Sequence, residues 1–170
     1  MSKLIKQIVL FLVAGAVFAA VNVMISKKEM TLHVGRTMLL ELAPVDPRSL
    51  MQGDYMALRY KIARDMKADS MPKDGALVVS LDDNGVATFK RVHVSGVPLA
   101  AGEYLLRYRV RAKGIRLGAE SFFFQEGHAK YYDSAKYGEL RVADSGDNVL
   151  VGLRGRNLER LGPLEKMQTP

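Results

Sequence analysis

The chain has 170 residues, a net charge of +7 and no cysteine, a composition that suits one domain with an appendage at most. The lack of cysteine excludes disulfides, thiolate metal sites and cysteine nucleophiles. Because the three histidines also lie far apart in sequence, we expect no metal and no cofactor. The hydrophobic fraction of 48% is normal for a folded protein and excludes wholesale disorder.

The first feature along the chain is an apolar run, residues 8–25, without an ionisable side chain. As a helix it spans about 27 Å, close to the hydrocarbon thickness of a bilayer. Lysines that can reach the headgroups flank both ends: Lys3, Lys6, Lys27 and Lys28. The run therefore predicts a single transmembrane signal anchor, with the lipid bilayer as a partner.

Two other interpretations of this run remain open. A buried core helix would have to hide eighteen uncharged residues in a small domain. A cleaved signal peptide would use the small residues near Ala19, although the apolar run continues six residues further. Two lysines on each side barely fix the orientation, and we expect the short N-terminal stub to stay cytoplasmic.

The charge of the remaining chain bears on its partners. Residues 30–170 carry a net charge of +4, which would draw a tethered domain towards anionic lipid or an acidic partner. Nucleic acid is not expected as a partner, because there is no dense basic tract and the domain is expected to lie outside the cytoplasm.

Beyond the anchor, the apolar periodicity is close to two, which predicts strands. Asn84-Gly85 predicts a tight hairpin turn, and Gly138 would cap one short helix over 127–137. The predicted fold is mainly β with one short helix, in three parts: an anchor at 1–29, a domain at 30–162 and a tail at 163–170. The polar residues from 154 onward are expected to be loosely held. The predicted strands cover 36–42, 55–62, 76–81, 86–94, 104–112, 121–125, 140–142 and 149–153.

The most distinctive segment runs from residue 53 to residue 60. Gly53 and Asp54 suit a turn before a strand, and Leu58 and Tyr60 then share one face of that strand. In a structural interpretation, Leu58 and Tyr60 fill the core. In a functional interpretation, Asp54, Tyr55 and Arg59 form a recognition surface, because tyrosine and arginine often anchor interfaces.

These residues spell Gly-Asp-Tyr-x-x-Leu-x-Tyr without a departure, from Gly53 to Tyr60. The chain thus resembles the bacterial membrane-anchored GDYXXLXY family, and segments 44–50, 124–128 and 137–139 are similar to family features as well. The resemblance implies an anchor in the inner membrane, a periplasmic domain and no established activity. It also implies occurrence alongside polytopic membrane proteins, one of which we expect as the partner.

A looser likeness connects the chain with signal peptidases, which use a serine and a lysine. Ser49 before Gly53-Asp54, with Lys90 further on, follows their order. A buried neutral lysine can activate a serine hydroxyl. However, matching the Gly-Asp pair puts Val45 in the place of the nucleophile. We therefore expect at most an inactive relative of such a hydrolase, and no catalytic residue.

A last pattern is an alternation of arginines in one strand. Arg107, Arg109 and Arg111 share one face, which is either the solvated face of a sheet or a surface for lipid phosphates or an acidic partner. The sequence as a whole favours a membrane-anchored binding or accessory protein. Proximity of Ser49 to Lys90 would favour a hydrolase instead, whereas an exposed apolar patch near Tyr55 would favour the binding protein.

Overall fold

The computed structural model describes residues 3–43, 51–52, 55–112 and 114–163. Helix α1 is Lys3–Val34, and a single helical turn, α2, is Lys61–Arg64. Two short 3₁₀ turns cover Ala68–Ser70 and Ala129–Tyr131. The strands are β1 Arg36–Glu41, β2 Met51–Gln52, β3 Tyr55–Ala57, β4 Asp74–Leu81, β5 Ala87–Val92, β6 Glu103–Arg111, β7 Gly114–Arg116, β8 Ser121–Phe123, β9 Tyr137–Val142 and β10 Asn148–Arg154.

Helix α1 continues beyond the apolar run and leads directly into the sheet. Its 32 residues would extend about 48 Å, and its apolar side chains are exposed along most of that length. Among the described residues it is the helix long and apolar enough to span a membrane. A single residue, Gly35, separates α1 from β1, so no flexible linker joins the helix to the domain.

The described strands form three antiparallel groups, ordered β1-β9-β10, β2-β3-β8 and β5-β4-β6-β7. An isolated bridge from Leu39 to Val86, just before β5, connects the first group to the third. A second bridge, from Leu42 to Tyr60 just after β3, connects the first group to the second. Apolar side chains from all three groups meet in one core, in which Leu77, Leu106 and Leu140 are fully buried. The prediction of a β-rich domain after one apolar helix is confirmed.

The helix predicted over 127–137 is wrong. The segment makes only one 3₁₀ turn, Ala129–Tyr131, and Gly138 lies inside β9 rather than at a helix end. Tyr132 is buried against the rings of Phe122 and Phe124, with ring centroids 4.9 and 5.5 Å away. Packing of these rings and pairing of β9 with β1 and β10 outweigh the helical spacing of the small residues.

The predicted polar tail is also partly ordered. Arg154 belongs to β10, and its guanidinium donates two hydrogen bonds of 3.0 and 3.1 Å to the buried carboxylate of Glu139. Leu161 packs against the core and donates its backbone N–H to the carbonyl of Leu153. This charge-assisted pair and this apolar contact fix the chain between residues 154 and 161.

Several strand boundaries differ from the prediction. The second predicted strand, 55–62, ends at Ala57 and is followed by the turn α2. The strand predicted over 121–125 ends at Phe123, and the short strand β7 was not predicted. Three-residue strands carry too little alternation for a pattern to detect their ends.

Replacing Gly35 by alanine should loosen the connection between α1 and the sheet. A Cβ atom there would collide with the carbonyl oxygen of Thr31 and come within 3.1 Å of the backbone nitrogen of Val142. We expect Gly35→Ala to lower the free energy of unfolding by about 1–3 kcal/mol, measured by urea denaturation of the full chain in detergent micelles. Gly15→Ala is the matched control, because its Cβ would meet nothing within 4 Å. Equal stabilities of the two variants would contradict the close packing inferred at Gly35.

Candidate functional site

The distinctive segment supplies both buried and outward side chains. Met56, Leu58 and Tyr60 are buried, the last two with 2% of their surface exposed, whereas Arg59 is exposed. The alternation thus continues past the end of β3. Gly53 and Asp54, predicted as a turn and as part of a recognition surface, lie outside the described residues.

The segment holds one neighbouring stretch, residues 117–123, at three points. The Tyr55 ring packs on Phe123, with 5.7 Å between the ring centroids. Leu58 donates its backbone N–H to the carbonyl of Glu120 at 2.8 Å. The buried Tyr60 hydroxyl donates to the carbonyl of Ala119 at 2.6 Å. The two tyrosines and the leucine of the segment therefore position residues 117–123.

Glu120 stabilises this stretch through hydrogen bonds to its own backbone. Its carboxylate accepts hydrogen bonds from the backbone N–H groups of Leu117 and Gly118, the latter at 3.1 Å. Burial and the negative charge of Glu120 raise the pKa of Tyr60 well above its usual value of 10.0. The Tyr60 hydroxyl consequently remains a hydrogen-bond donor at all physiological pH values.

A cavity of about 480 Å³ lies where the helix meets the domain, and we name it the junction cavity. Its lining comes from residues 118–121 and Phe123, from Lys28 of α1, and from residues 148–150 at the start of β10. Lys28 Nζ donates to the backbone carbonyl of Asn148 at 3.0 Å, so the helix and the domain are connected at the cavity wall.

Asn148 is the most unusual residue of this lining. It is 7% exposed, and its Nδ2 donates to the carbonyl of Leu117 at 2.8 Å. Its Oδ1 is buried and accepts no hydrogen bond from any residue that the structure describes. An unsatisfied buried acceptor costs about 1–3 kcal/mol.

An exposed aromatic pair lies beside the junction cavity, and we name Tyr55 and Phe123 the aromatic patch. Phe123 is 74% exposed and also lines the cavity, whereas Tyr55 is half-buried beneath it. An exposed aromatic ring is therefore present near Tyr55. Such a large exposed ring is typical of an interaction site.

The arginine alternation places three exposed side chains on one face of β6. Arg107 pairs with Asp147 at 3.4 Å and Arg109 with Asp74 at 3.3 Å, whereas Arg111 forms no ion pair with a described residue. Exposed pairs of this kind are worth at most about 1 kcal/mol. The guanidinium groups therefore remain free to exchange these partners for an anionic ligand.

The strand register adds an arginine that sequence reasoning missed. Arg116 of β7 lies directly opposite Arg109, and it also lines a second cavity of about 260 Å³. Arg59 and Arg64 line the same cavity, together with Glu120. Three arginines, one between β3 and α2, one in α2 and one in β7, thus line one cavity.

The alternative catalytic pair, Ser49 and Lys90, gains no support. Lys90 is exposed at a β-bulge in β5, where the pairing with β4 shifts between Val78 and Val79. The burial that a neutral catalytic lysine requires is missing there. Ser49 lies outside the described residues. Among the residues that the structure describes, no group of three histidine, aspartate or glutamate side chains is placed to hold a metal ion.

Sequence reasoning did not identify Asn148, Glu120 or Phe123 as site residues. Asn148 follows the turn aspartate and precedes an apolar strand, so it is typical of an ordinary hairpin end. In the sequence, Lys28 is only a charge that flanks the apolar run. A pattern in sequence does not show that these four residues meet across separations of up to 120 positions.

These features define a β-rich domain protein with one N-terminal helix of membrane-spanning length. The chain belongs to the GDYXXLXY protein family, whose model matches residues 17–153. This confirms the family indicated by the motif, and the match does not extend to signal peptidases. The comparisons with curated proteins and with solved structures found no match.

Removing the Tyr60 hydroxyl should destabilise the wall of the junction cavity. Tyr60→Phe leaves the carbonyl of Ala119 without its donor, and we expect a loss of about 1–3 kcal/mol in the free energy of unfolding at neutral pH. Tyr131→Phe, which alters an exposed ring, is the control. The measurement is urea denaturation of the full chain in micelles.

The free energy of unfolding of the same two variants should depend differently on pH. In the unfolded chain Tyr60 ionises near pH 10.0, whereas in the folded chain its pKa is raised. The stabilisation is therefore complete below pH 10 and is lost as the pH rises above it. Buried Tyr108 and Tyr132 contribute in the same direction. Tyr60→Phe should reduce this alkaline loss, and an unchanged slope would contradict the assignment.

Proposed function

We propose that α1 spans the bacterial inner membrane and that the β-domain works in the periplasm as a binding or accessory subunit of a polytopic membrane protein. The apolar run 8–25 with lysines at both ends supports the span.

The observation that carries this proposal is the position of the aromatic patch relative to α1. Phe123 and Lys28 line the same cavity, and a single residue joins the helix to β1. The patch is therefore held at a fixed height and rotation beside the helix. A partner in the same membrane would meet the helix and the patch together, and the tether would raise its effective concentration.

Asn22 adds support from within the apolar run. Its Nδ2 donates to the carbonyl of Phe18 at 2.9 Å, one turn earlier in the same helix. The side-chain oxygen of Asn22, Oδ1, can accept a hydrogen bond from a neighbouring helix, a contact worth about 1 kcal/mol. A Ser/Lys hydrolase has no comparable support, since Lys90 lies exposed on its bulge.

Replacing Phe123 should weaken the association with the partner. We expect Phe123→Ser to reduce co-purification of an integral membrane protein from detergent-solubilised native membranes by about tenfold or more, as for an interface anchor. Phe89→Ser is the matched control, because Phe89 is also a partly exposed ring but lies on β5. Quantitative mass spectrometry of the recovered proteins is the measurement. Equal recovery with both variants, or no integral membrane protein at all, would contradict the accessory role.

A second function, binding of an anionic lipid or ligand, is favoured by the three arginines at the second cavity. We infer that Arg116 would connect this cavity to the arginines of β6, because it lies opposite Arg109 and lines the cavity. Guanidinium groups bind phosphate or carboxylate through two hydrogen bonds each.

Charge reversal at Arg116 tests this second function. In nanodiscs containing phosphatidylglycerol, we expect amide exchange of residues 103–116 to be slower than in phosphatidylcholine nanodiscs, and Arg116→Glu should remove the difference. The difference should also vanish at 1 M salt, where the Debye length is about 3 Å. Arg156→Glu, in an exposed turn, is the control. Exchange that is independent of lipid charge and salt would rule out anion binding here.

A further inference from the structure

We propose that the junction cavity binds the headgroup of a phospholipid that carries a primary ammonium, as in phosphatidylethanolamine. The inference rests on the proposed membrane span but not on the partner protein. It goes beyond the binding of anionic groups by the arginines, because it concerns another cavity and a zwitterionic ligand.

The position of the junction cavity indicates a lipid as its ligand. Lys28 lies three residues beyond Ile25, the last residue of the apolar run, which is about 4.5 Å along a helix axis. A lysine at that height reaches the phosphates at the membrane surface. Because Lys28 lines the junction cavity, the cavity lies at the level of the lipid headgroups. Its volume of about 480 Å³ is that of a small-molecule site.

The lining offers one cation for a phosphate. Lys28 Nζ donates one hydrogen bond to the Asn148 carbonyl, and an ammonium has three N–H donors. The remaining donors can bind phosphate oxygens. Phe123 and Leu150 supply apolar lining for the glycerol end of the lipid.

The same lining offers two acceptors for an ammonium. Asn148 Oδ1 is buried and unpartnered, and its orientation is fixed because Nδ2 donates to the Leu117 carbonyl, which can only accept. Glu120 contributes a carboxylate, of which Oε1 accepts the two backbone N–H groups. Oε2 is not used in those bonds, so the residues of the lining carry a negative charge and two oxygens that have no hydrogen-bond donor among the described residues.

This donor and acceptor set discriminates among common headgroups. A primary ammonium supplies both the positive charge and the N–H donors that Asn148 and Glu120 require. A choline headgroup has the charge without any N–H, and a glycerol headgroup has donors without the charge. We therefore expect preference for phosphatidylethanolamine over both.

The test is native mass spectrometry of the full chain in detergent, titrated separately with phosphatidylethanolamine, phosphatidylcholine and phosphatidylglycerol. We expect tighter binding of phosphatidylethanolamine by about tenfold, and Glu120→Gln should abolish this preference while retaining an oxygen for the backbone N–H groups. Glu126→Gln, an exposed glutamate outside the cavity, is the matched control. Lys28→Gln should weaken binding of all three lipids alike, because each has a phosphate.

Several results would overturn the proposal. These are equal affinities for the three lipids, a preference unchanged by Glu120→Gln, or equal loss in the Glu126→Gln control. Competition with soluble glycerophosphoethanolamine distinguishes a membrane lipid from a free soluble ligand. If the soluble compound displaced the lipid at a similar concentration, the placement of the cavity at the membrane would be contradicted. Thermal unfolding of each variant checks that it folds. Membrane fractionation tests the span separately from lipid preference.

Discussion

The structure depends on the rigid connection between α1 and the sheet. Thr31, nearly fully buried, lies in the last turn of the helix, and Gly35 bonds back to its carbonyl at 3.0 Å. Arg141 of β9 donates to the Gly35 carbonyl at 3.1 Å, and Lys28 reaches Asn148 of β10. Bonds from two strands therefore hold the helix end, so whatever orients the helix also orients the domain.

The family motif, residues 53–60, supports the part of the domain that lies next to this connection. Tyr55, Leu58 and Tyr60 each contact the stretch 117–123, which forms one wall of the junction cavity. The structural and functional interpretations of the motif are thus complementary. The buried half of the motif fixes the stretch, and the outward Tyr55 supports the exposed ring of Phe123.

Local patterns predicted the parts of the fold that local physics decides. The alternation from Leu106 to Arg111 predicted which face of β6 is buried, and the hairpin at Asn84-Gly85 lies between β4 and β5. Tertiary contacts decided the rest. Gly138, predicted as a helix cap, instead leaves space for the Tyr60 ring, whose atoms would lie 3.0 Å from an added Cβ. The orientation of the Asn148 amide, which leaves Oδ1 without a partner, likewise depends on the hydrogen bond from Nδ2 to the Leu117 carbonyl. The spacing of residues in the sequence does not reveal this bond.

Phe123 belongs to both the junction cavity and the aromatic patch, and this shared residue couples the two proposed functions. A ligand in the cavity contacts α1 and the domain at once, so its binding free energy adds to the stability of their connection. A ligand that packs against Phe123 would also restrict the ring that a protein partner would contact, which would lower the entropy lost when that partner binds. Lipid and partner would therefore favour each other's binding reciprocally, without any movement of the sheet.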